Sequence, residues 1–400
     1  MEADRRPVVV GAARTPIGRF RGELREVAAP ALGQAAIRAA LARAGPRAAV
    51  GGCLMGCVLP AGLGQAPARQ AAIGAGLPLS VTCDTINKMC GSGMRACMLA
   101  ADRIRCGEDG VVLAGGAESM SRAPFLVPRA LGTGRPDRDA PLQDHMFRDG
   151  LTDAYEAGRS MGEYAEDCAD RYGFTRAEQD GYAVASLRRA RAAAEAGAFA
   201  AEITPVETLP SFVVRTDELP RAADPARIPA LKPAFREGGT VTAANSSAIS
   251  DGAAFLALSE AAAARRQGMP VLARFVASAA HAGEPGLFTS APVDAIRNLL
   301  AITGWRVADV DLWEINEAFA VVPLVAMRAL GIAHDRLNLH GGACALGHPI
   351  GASGARILVT LVHAMLRRRA RRGVAAICIG GGEATAVALE RHEEDGTGDD

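Results

Sequence analysis

Along the chain, short β-branched runs alternate with Ala/Leu/Arg stretches of helical period. Pro7-Val8-Val9-Val10 runs up to Gly11, and Val111-Val112-Leu113-Ala114 and Ala375-Ala376-Ile377-Cys378-Ile379 each run into a glycine cluster. Runs of this kind predict strands, and their alternation with helical patterns predicts an α/β architecture. One helix is predicted from about Ala31 to Ala44, stopped by Gly45-Pro46, and another from about Gly354 to Arg369, stopped before Gly373. Further helix is predicted within residues 160–197.

The pattern repeats. Pro7-Val8-Val9 falls opposite Pro270-Val271-Leu272, Val50-Gly51-Gly52-Cys53 opposite Val310-Asp311-Leu312-Trp313, Gly91-Ser92-Gly93 opposite Gly351-Ala352-Ser353-Gly354, and Gly115-Gly116-Ala117-Glu118 opposite Gly381-Gly382-Glu383. The offset stays at about 260 to 266 residues, which favours two copies of one strand-and-helix unit. Residues from about 120 to 250 have no counterpart and are rich in Arg, Asp, Pro and Gly, so they read as an insertion from the first copy. The division expected is residues 1–120 plus 250–269 for the first half, 121–249 for the insertion, 270–392 for the second half, and an acidic flexible tail at 393–400.

Composition narrows the classes of function. Lys+Arg and Asp+Glu number 44 each, so the chain lacks the basic surplus of a nucleic-acid binder. With 49% hydrophobic and 22% charged residues it can bury a large core. Only Lys88 and Lys232 are lysines. No apolar run approaches the roughly 20 residues of a membrane span, and Met1-Glu2-Ala3-Asp4-Arg5-Arg6 does not read as a secretory signal. A cytoplasmic protein without membrane insertion is expected. The nine cysteines show no repeated C-x-x-C pair, so reduced thiols are expected, most of them as small buried hydrophobes.

Four segments hold residues suited to chemistry. In Asn87-Lys88-Met89-Cys90-Gly91-Ser92-Gly93, a thiol stands before a helix-forming run, where the macrodipole and free amides favour a thiolate. The segment alone fits a buried Cys before a tight glycine turn equally well. In Gly347-His348-Pro349-Ile350-Gly351, a proton-transfer side chain is fixed at a loop-to-helix junction. By the repeat, His348 occupies nearly the place of Cys90, and two such junctions facing each other give a Cys/His pair. In Cys378-Ile379-Gly380-Gly381-Gly382, glycines can present amides to an oxyanion beside a thiol. In Trp313-Glu314-Ile315-Asn316-Glu317-Ala318-Phe319, Asn316 can orient water or cap a helix. His340 lacks the partners of a metal site, so no metal is expected.

Together these blocks resemble the thiolase family, the acyl-CoA C-acyltransferases, from about Pro7 to Glu390. Arg14-Thr15-Pro16-Ile17-Gly18, Gly115-Gly116-Ala117-Glu118-Ser119-Met120-Ser121 and Gly239-Thr240-Val241-Thr242-Ala243-Ala244-Asn245-Ser246-Ser247 add to the likeness. The resemblance implies two βαβαβαββ halves in a five-layered α/β/α/β/α core, with an inserted loop domain that binds coenzyme A. It also implies ping-pong acyl transfer, either thiolytic cleavage of a 3-ketoacyl-CoA or condensation of two acyl-CoA units. By carry-over, Cys90 is the nucleophile, His348 its activator and Cys378 the acid/base at the acetyl α-carbon. Asn316 holds a water beside the enolate oxygen, and the Cys90 and Gly380 amides bind the acyl-enzyme oxyanion. Leu151, Met161, Arg221, Phe235, Ala243, Ser247, Ala318 and Phe319 are the implied coenzyme A contacts, with Arg221 beside the phosphates. Coenzyme A is implied as substrate, with no permanently bound cofactor, and a homodimer or homotetramer is implied.

Three departures from the family pattern bear on substrate choice. Ser160 stands where short-chain members have His before Met161-Gly162, the arm at Arg221-Ala222-Ala223-Asp224-Pro225 is slightly short, and Glu383-Ala384 replaces Met-Gly. Each is expected to touch chain-length or coenzyme A contacts. Two rivals remain at this stage. A decarboxylating condensing enzyme of the ketoacyl-synthase kind needs no base at Cys378, and a non-catalytic acyl-CoA or lipid binder needs none of the four catalytic side chains. A nucleotide-binding oxidoreductase is disfavoured because Gly62-Leu63-Gly64 lacks the full G-x-G-x-x-G pattern.

Overall fold

The apolar runs form strands buried on both faces: all eight positions of Pro7–Arg14 (β1) and all nine of Val111–Ser119 are buried. Such strands need helices on both sides. The structure, a computed structural model, describes residues 5–45, 48–130, 134–137, 139–208 and 212–391. The expected tail, 393–400, lies outside the described residues.

The first copy contributes β1, Gly52–Gly56 (β2), Thr82–Ile86 (β3), Val111–Ser119 (β4) and Ser250–Glu260 (β5). The second contributes Ala273–Ala282 (β6), Leu312–Ile315 (β7), Arg372–Ile379 (β8) and Glu383–Glu390 (β9). One hydrogen-bonded path runs β7-β8-β9-β6-β1-β5-β4-β2-β3. Pairing repeats between the copies. β2 is parallel to β4, while β5 runs antiparallel to both β4 and β1. In the same way β7 is parallel to β8, while β9 runs antiparallel to both β8 and β6. The copies join antiparallel at β1 and β6, where Val8 faces Arg274 and Val9 faces Ala273.

Helices complete five layers. Ala29–Ala44 (α1) and Pro67–Gly74 (α2) cover the outer face of the first half through Leu32, Ile37 and Ala71. Ser92–Cys106 (α3) lies between the halves and packs there through Met94, Cys97 and Ile104. The insertion carries Met161–Tyr172 (α4) and Arg176–Glu195 (α5). Ala291–Thr303 (α6) and Val321–Leu330 (α7) cover the outer face of the second half through Ile296, Leu299 and Val325. Ile350–Arg368 (α8) joins α3 in the central layer through Ile357, Leu358 and Leu361.

Contrary to the expectation from its apolar runs, the chain has one helix, α8, long and apolar enough to cross a membrane by length and composition. The fold places 83% of its most apolar window inside the protein, as the core helix between two sheets.

One part of the repeat alignment is corrected. β4 does not stop at its glycines but runs through Gly115 and Gly116 to Ser119. A Cβ on Gly115 would lie 2.0 Å from the Ala254 carbonyl oxygen, and one on Gly116 would lie 2.0 Å from that of Gly351. These glycines therefore serve close backbone approach. Gly381 and Gly382 follow the end of β8 at φ +94° and +86°, so they serve a turn and are not the counterparts of the β4 pair.

Two buried polar knots tie the insertion to the core. Arg14 donates to Glu202 at 2.6 Å and to both Asp217 oxygens at 2.7 and 2.9 Å. Glu317 accepts from Tyr182 at 2.9 Å and Ser186 at 2.7 Å, both on α5.

Because Gly116 faces the first turn of α8, Gly116→Ala should push that helix off the sheet and cost about 1 to 3 kcal/mol. A urea midpoint equal to that of the unsubstituted protein would contradict this contact.

Candidate active site

Cys90 and His348 stand in matching places, each two residues before its helix, α3 from Ser92 and α8 from Ile350. The repeat thus converts one loop-to-helix junction into two, and the contact between α3 and α8 brings them together. Glycine makes the contact close: a Cβ on Gly93 would meet the Gly351 carbonyl oxygen at 2.9 Å, and one on Gly354 would meet the Met94 nitrogen at 2.6 Å.

The turn carrying Cys90 is sharply constrained. Met89 sits at φ +46°, a left-handed conformation that L-residues seldom adopt. Ser92 holds it there, with Oγ accepting from the Lys88 N–H at 2.8 Å and donating to the Met89 carbonyl at 2.6 Å. Cys90 is partly open to a cleft yet closely surrounded by protein. Burial pushes its thiol up to about 11, against the pull of the Gly380 and Cys90 amides directed at the sulfur. The resting group is a thiol, and the same two amides are placed to hold an oxyanion built on it.

His348 stands at the matching junction of the second copy. Ser353 Oγ donates to the Pro349 carbonyl at 2.9 Å and lies 2.6 Å from His348 Nδ1, so the single hydroxyl proton is spent and Nδ1 must carry the shared hydrogen. Nε2 is then the lone-pair nitrogen, and it is buried without a protein partner. Burial, helped by the Arg356 charge, lowers the imidazole to about 3, so the ring is neutral at ordinary pH and able to accept a proton.

Cys378, the penultimate residue of β8, is fully buried. Burial and the neighbouring Cys90 push its thiol well above the usual range. Asn316 follows β7 and is also fully buried, with both amide atoms lacking protein partners. Neither side chain forms part of the open wall of the cleft; Cys378 lies behind it as a close neighbour of Cys90.

The cleft measures about 380 Å³ and is lined by Cys90, His348 and Gly380 together with Leu151, Met161, Phe235, Ala243, Ser247, Ala318 and Phe319. Seven of the eight residues expected against coenzyme A are thus brought to one wall system. Arg221 is not. Its guanidinium is taken by both Glu23 oxygens at 3.0 Å and by the Asp217 carbonyl at 3.2 Å, and it lines a separate depression.

Of the departures, Ser160 does line the cleft, where its N–H and Oγ both donate to Glu163 at the start of α4. Glu383 does not: its carboxylate is paired with Lys88, joining the Cys90 turn to β9. The cysteine expectation is also adjusted, since Cys106 is exposed and Cys83 and Cys344 are partly so.

Sequence reasoning missed Ser353 and Glu118, although both lie inside quoted motifs. Glu118 is buried and accepts from the Val58, Leu59 and Gly351 amides at 2.9, 3.1 and 2.9 Å, so it anchors the first turn of α8 beside His348. Burial raises its carboxyl to about 7. Phe147, Phe288 and Ile249 also form cleft walls, and isolated apolar residues in short or irregular segments carry no periodic signal in the sequence.

A duplicated α/β fold with a Cys/His pair, two directed amides and a second buried thiol defines a covalent acyl-transfer site. Comparison with known proteins agrees. The family models described as the thiolase N-terminal and C-terminal domains match residues 7–262 and 269–391, so the chain belongs to the thiolase family. It is 48% identical over 390 residues to acetyl-CoA acetyltransferase of Pseudomonas aeruginosa, covering 96% of this chain and 99% of that one. It is 48% identical over 391 residues to a probable acetyl-CoA acetyltransferase of Escherichia coli, with 96% and 99% covered. A thiolase from Ascaris suum, solved in complex with coenzyme A, superposes with a TM-score of 0.91 at 42% identity, covering 97% of this chain and 100% of that one. The Bacillus anthracis acetyl-CoA acetyltransferase superposes at 0.93 with 36% identity, covering 98% and 100%.

With the thiol raised by burial, its thiolate fraction should climb as pH approaches about 11. Iodoacetamide labelling of Cys90, followed by peptide mass spectrometry, should therefore accelerate from pH 7 to 10 without a plateau. A plateau by pH 8 would contradict the buried neutral thiol.

Proposed function

We propose that this acyltransferase acts on coenzyme A thioesters by a two-stage exchange through Cys90, cleaving a 3-ketoacyl-CoA to acetyl-CoA and a shortened acyl-CoA, or running in reverse to form acetoacetyl-CoA. The observation that carries the reading is the meeting of Cys90, the free His348 Nε2 and Gly380 in one apolar cleft, with Cys378 beside Cys90.

In the cleavage direction His348 Nε2 takes the Cys90 proton as the sulfur attacks the 3-keto carbonyl, and the oxyanion forms against the Cys90 and Gly380 amides. The bond between C2 and C3 breaks, its electron pair passes to the acetyl enolate, and Cys378 gives that carbon a proton. Acetyl-CoA leaves. Coenzyme A then attacks the acyl group, the bond from Cys90 sulfur to the acyl carbon breaks, Cys90 takes back the proton held on His348, and the proton from the coenzyme A thiol restores Cys378. Because one thioester becomes another, this second stage is nearly isoenergetic.

Coenzyme A as substrate is supported by the coenzyme A complex of the Ascaris suum thiolase and by the apolar walls around Met161 and Phe235. Overall neutrality provides no long-range steering of that anion, so its attraction is local, and the apolar cleft supplies binding contact along its length. A reducing, cytoplasmic setting is supported by nine unpaired thiols. A homodimer or homotetramer is supported by β3, which ends the sheet path and has exposed positions at Thr82, Asp84 and Thr85.

Acetyl-CoA alone should leave an acetyl group on Cys90, visible by intact mass. Folded protein without an adduct, or an adduct that survives Cys90→Ala, would overturn the reading. Cys378→Ser should retain the adduct and slow exchange of the acetyl α-protons by about tenfold or more, whereas equal exchange rates would remove Cys378 from the proton-transfer role.

A further inference from the structure

Behind the cleft lies a set of buried polar groups that acyl transfer, as described above, does not use. Arg356 lies on α8 beyond His348 and is 2% exposed, and its Nε, Nη1 and Nη2 all lack a hydrogen-bond partner. Its nearest carboxylate, Glu314 on β7, is also 2% exposed and stands 3.7 Å away, too far for a direct hydrogen bond. Glu314 and Asn316 are two residues apart, and the Asn316 N–H continues the ladder to Ala376, so both side chains leave the same side of the strand. Asn316 brings two more buried unpartnered atoms, and His348 Nε2 brings another.

This cluster does not serve stability. Buried donors and acceptors left unpaired are costly, and native proteins satisfy them with internal water. A buried ion pair is also usually no better for folding than apolar residues of the same size. Charge is the remaining contribution. Burial lowers His348 and the Arg356 charge adds to it, while burial raises the Glu314 carboxyl to about 8, so Glu314 gains its charge as pH rises through that value.

We propose that Arg356 and Glu314 are a positioning pair for the acyl-transfer site, joined through internal water to the Asn316 amide and setting the field in which His348 takes up and returns its proton. The pair touches neither substrate nor reacting atoms; it acts through Asn316 and His348. The proposal rests on the roles given above to Cys90 and His348.

The test uses the full-length enzyme with acetoacetyl-CoA and coenzyme A as substrates. Arg356→Met/Glu314→Leu should keep or raise the melting temperature, lower kcat by about tenfold or more, and leave KM within about twofold. Arg356→Lys, which restores a cation, should recover part of the lost kcat. A folded double variant with kcat within twofold of the parent, or a loss confined to KM, overturns the proposal. Should the double variant fail to fold, Glu314→Gln assayed at pH 9 decides, because above about 8 the Glu314 carboxyl is charged and the amide keeps its shape without the charge: a fall in kcat at constant KM supports the pair, and an unchanged kcat overturns it. Acetylation of Cys90 in the unsubstituted enzyme is measured alongside. Its absence would remove the acyl-enzyme reading and this proposal with it, whereas acetylation together with unchanged variant kinetics would remove the proposal alone.

Discussion

The site depends on one contact, the close approach of α3 and α8 between the two halves of the sheet. Glycines set the distance: Gly93 and Gly354 on the helices themselves and Gly116 on β4, each facing backbone atoms too near to admit a Cβ. Everything chemical follows from where that contact puts the helix starts. Cys90 and His348 hang two residues ahead of them, so a duplication of one unit yields a thiol from one copy and an imidazole from the other. Ser92 and Ser353 perform analogous local tasks, one pinning the strained turn at Met89 and the other fixing the tautomer of His348.

Burial then sets the protonation states. A thiol raised to about 11 beside an imidazole lowered to about 3 is a neutral pair at pH 7. Charge separates only during reaction, when the amides of Cys90 and Gly380 can meet the oxyanion as it forms. An apolar cleft with few charged walls suits this arrangement, because it leaves the site's fixed dipoles unscreened.

Much of this was legible in the sequence because it was written in punctuation. Glycine and proline clusters mark the helix starts at Ser92 and Ile350, and the repeat offset exposes the equivalence of Cys90 and His348. Less legible was whatever depends on distance between separate segments. Gly115 and Gly116 look like a strand end, but they lie inside β4 because other backbones press against them. The pairing of Arg221 with Glu23 joins residues 198 positions apart, so nothing in the local sequence announces it. Glu118 and Arg356 are charged residues whose local sequence gives no hint that the fold closes over them. Their partners come from elements that only the tertiary fold brings together.

The most direct test of the assembled site is a crystal structure of the enzyme acetylated from acetyl-CoA. The account predicts the thioester on Cys90 Sγ, with its carbonyl oxygen about 2.7 to 3.2 Å from both the Cys90 and Gly380 nitrogens. A carbonyl turned away from those amides, or an acetyl group on another residue, would contradict it.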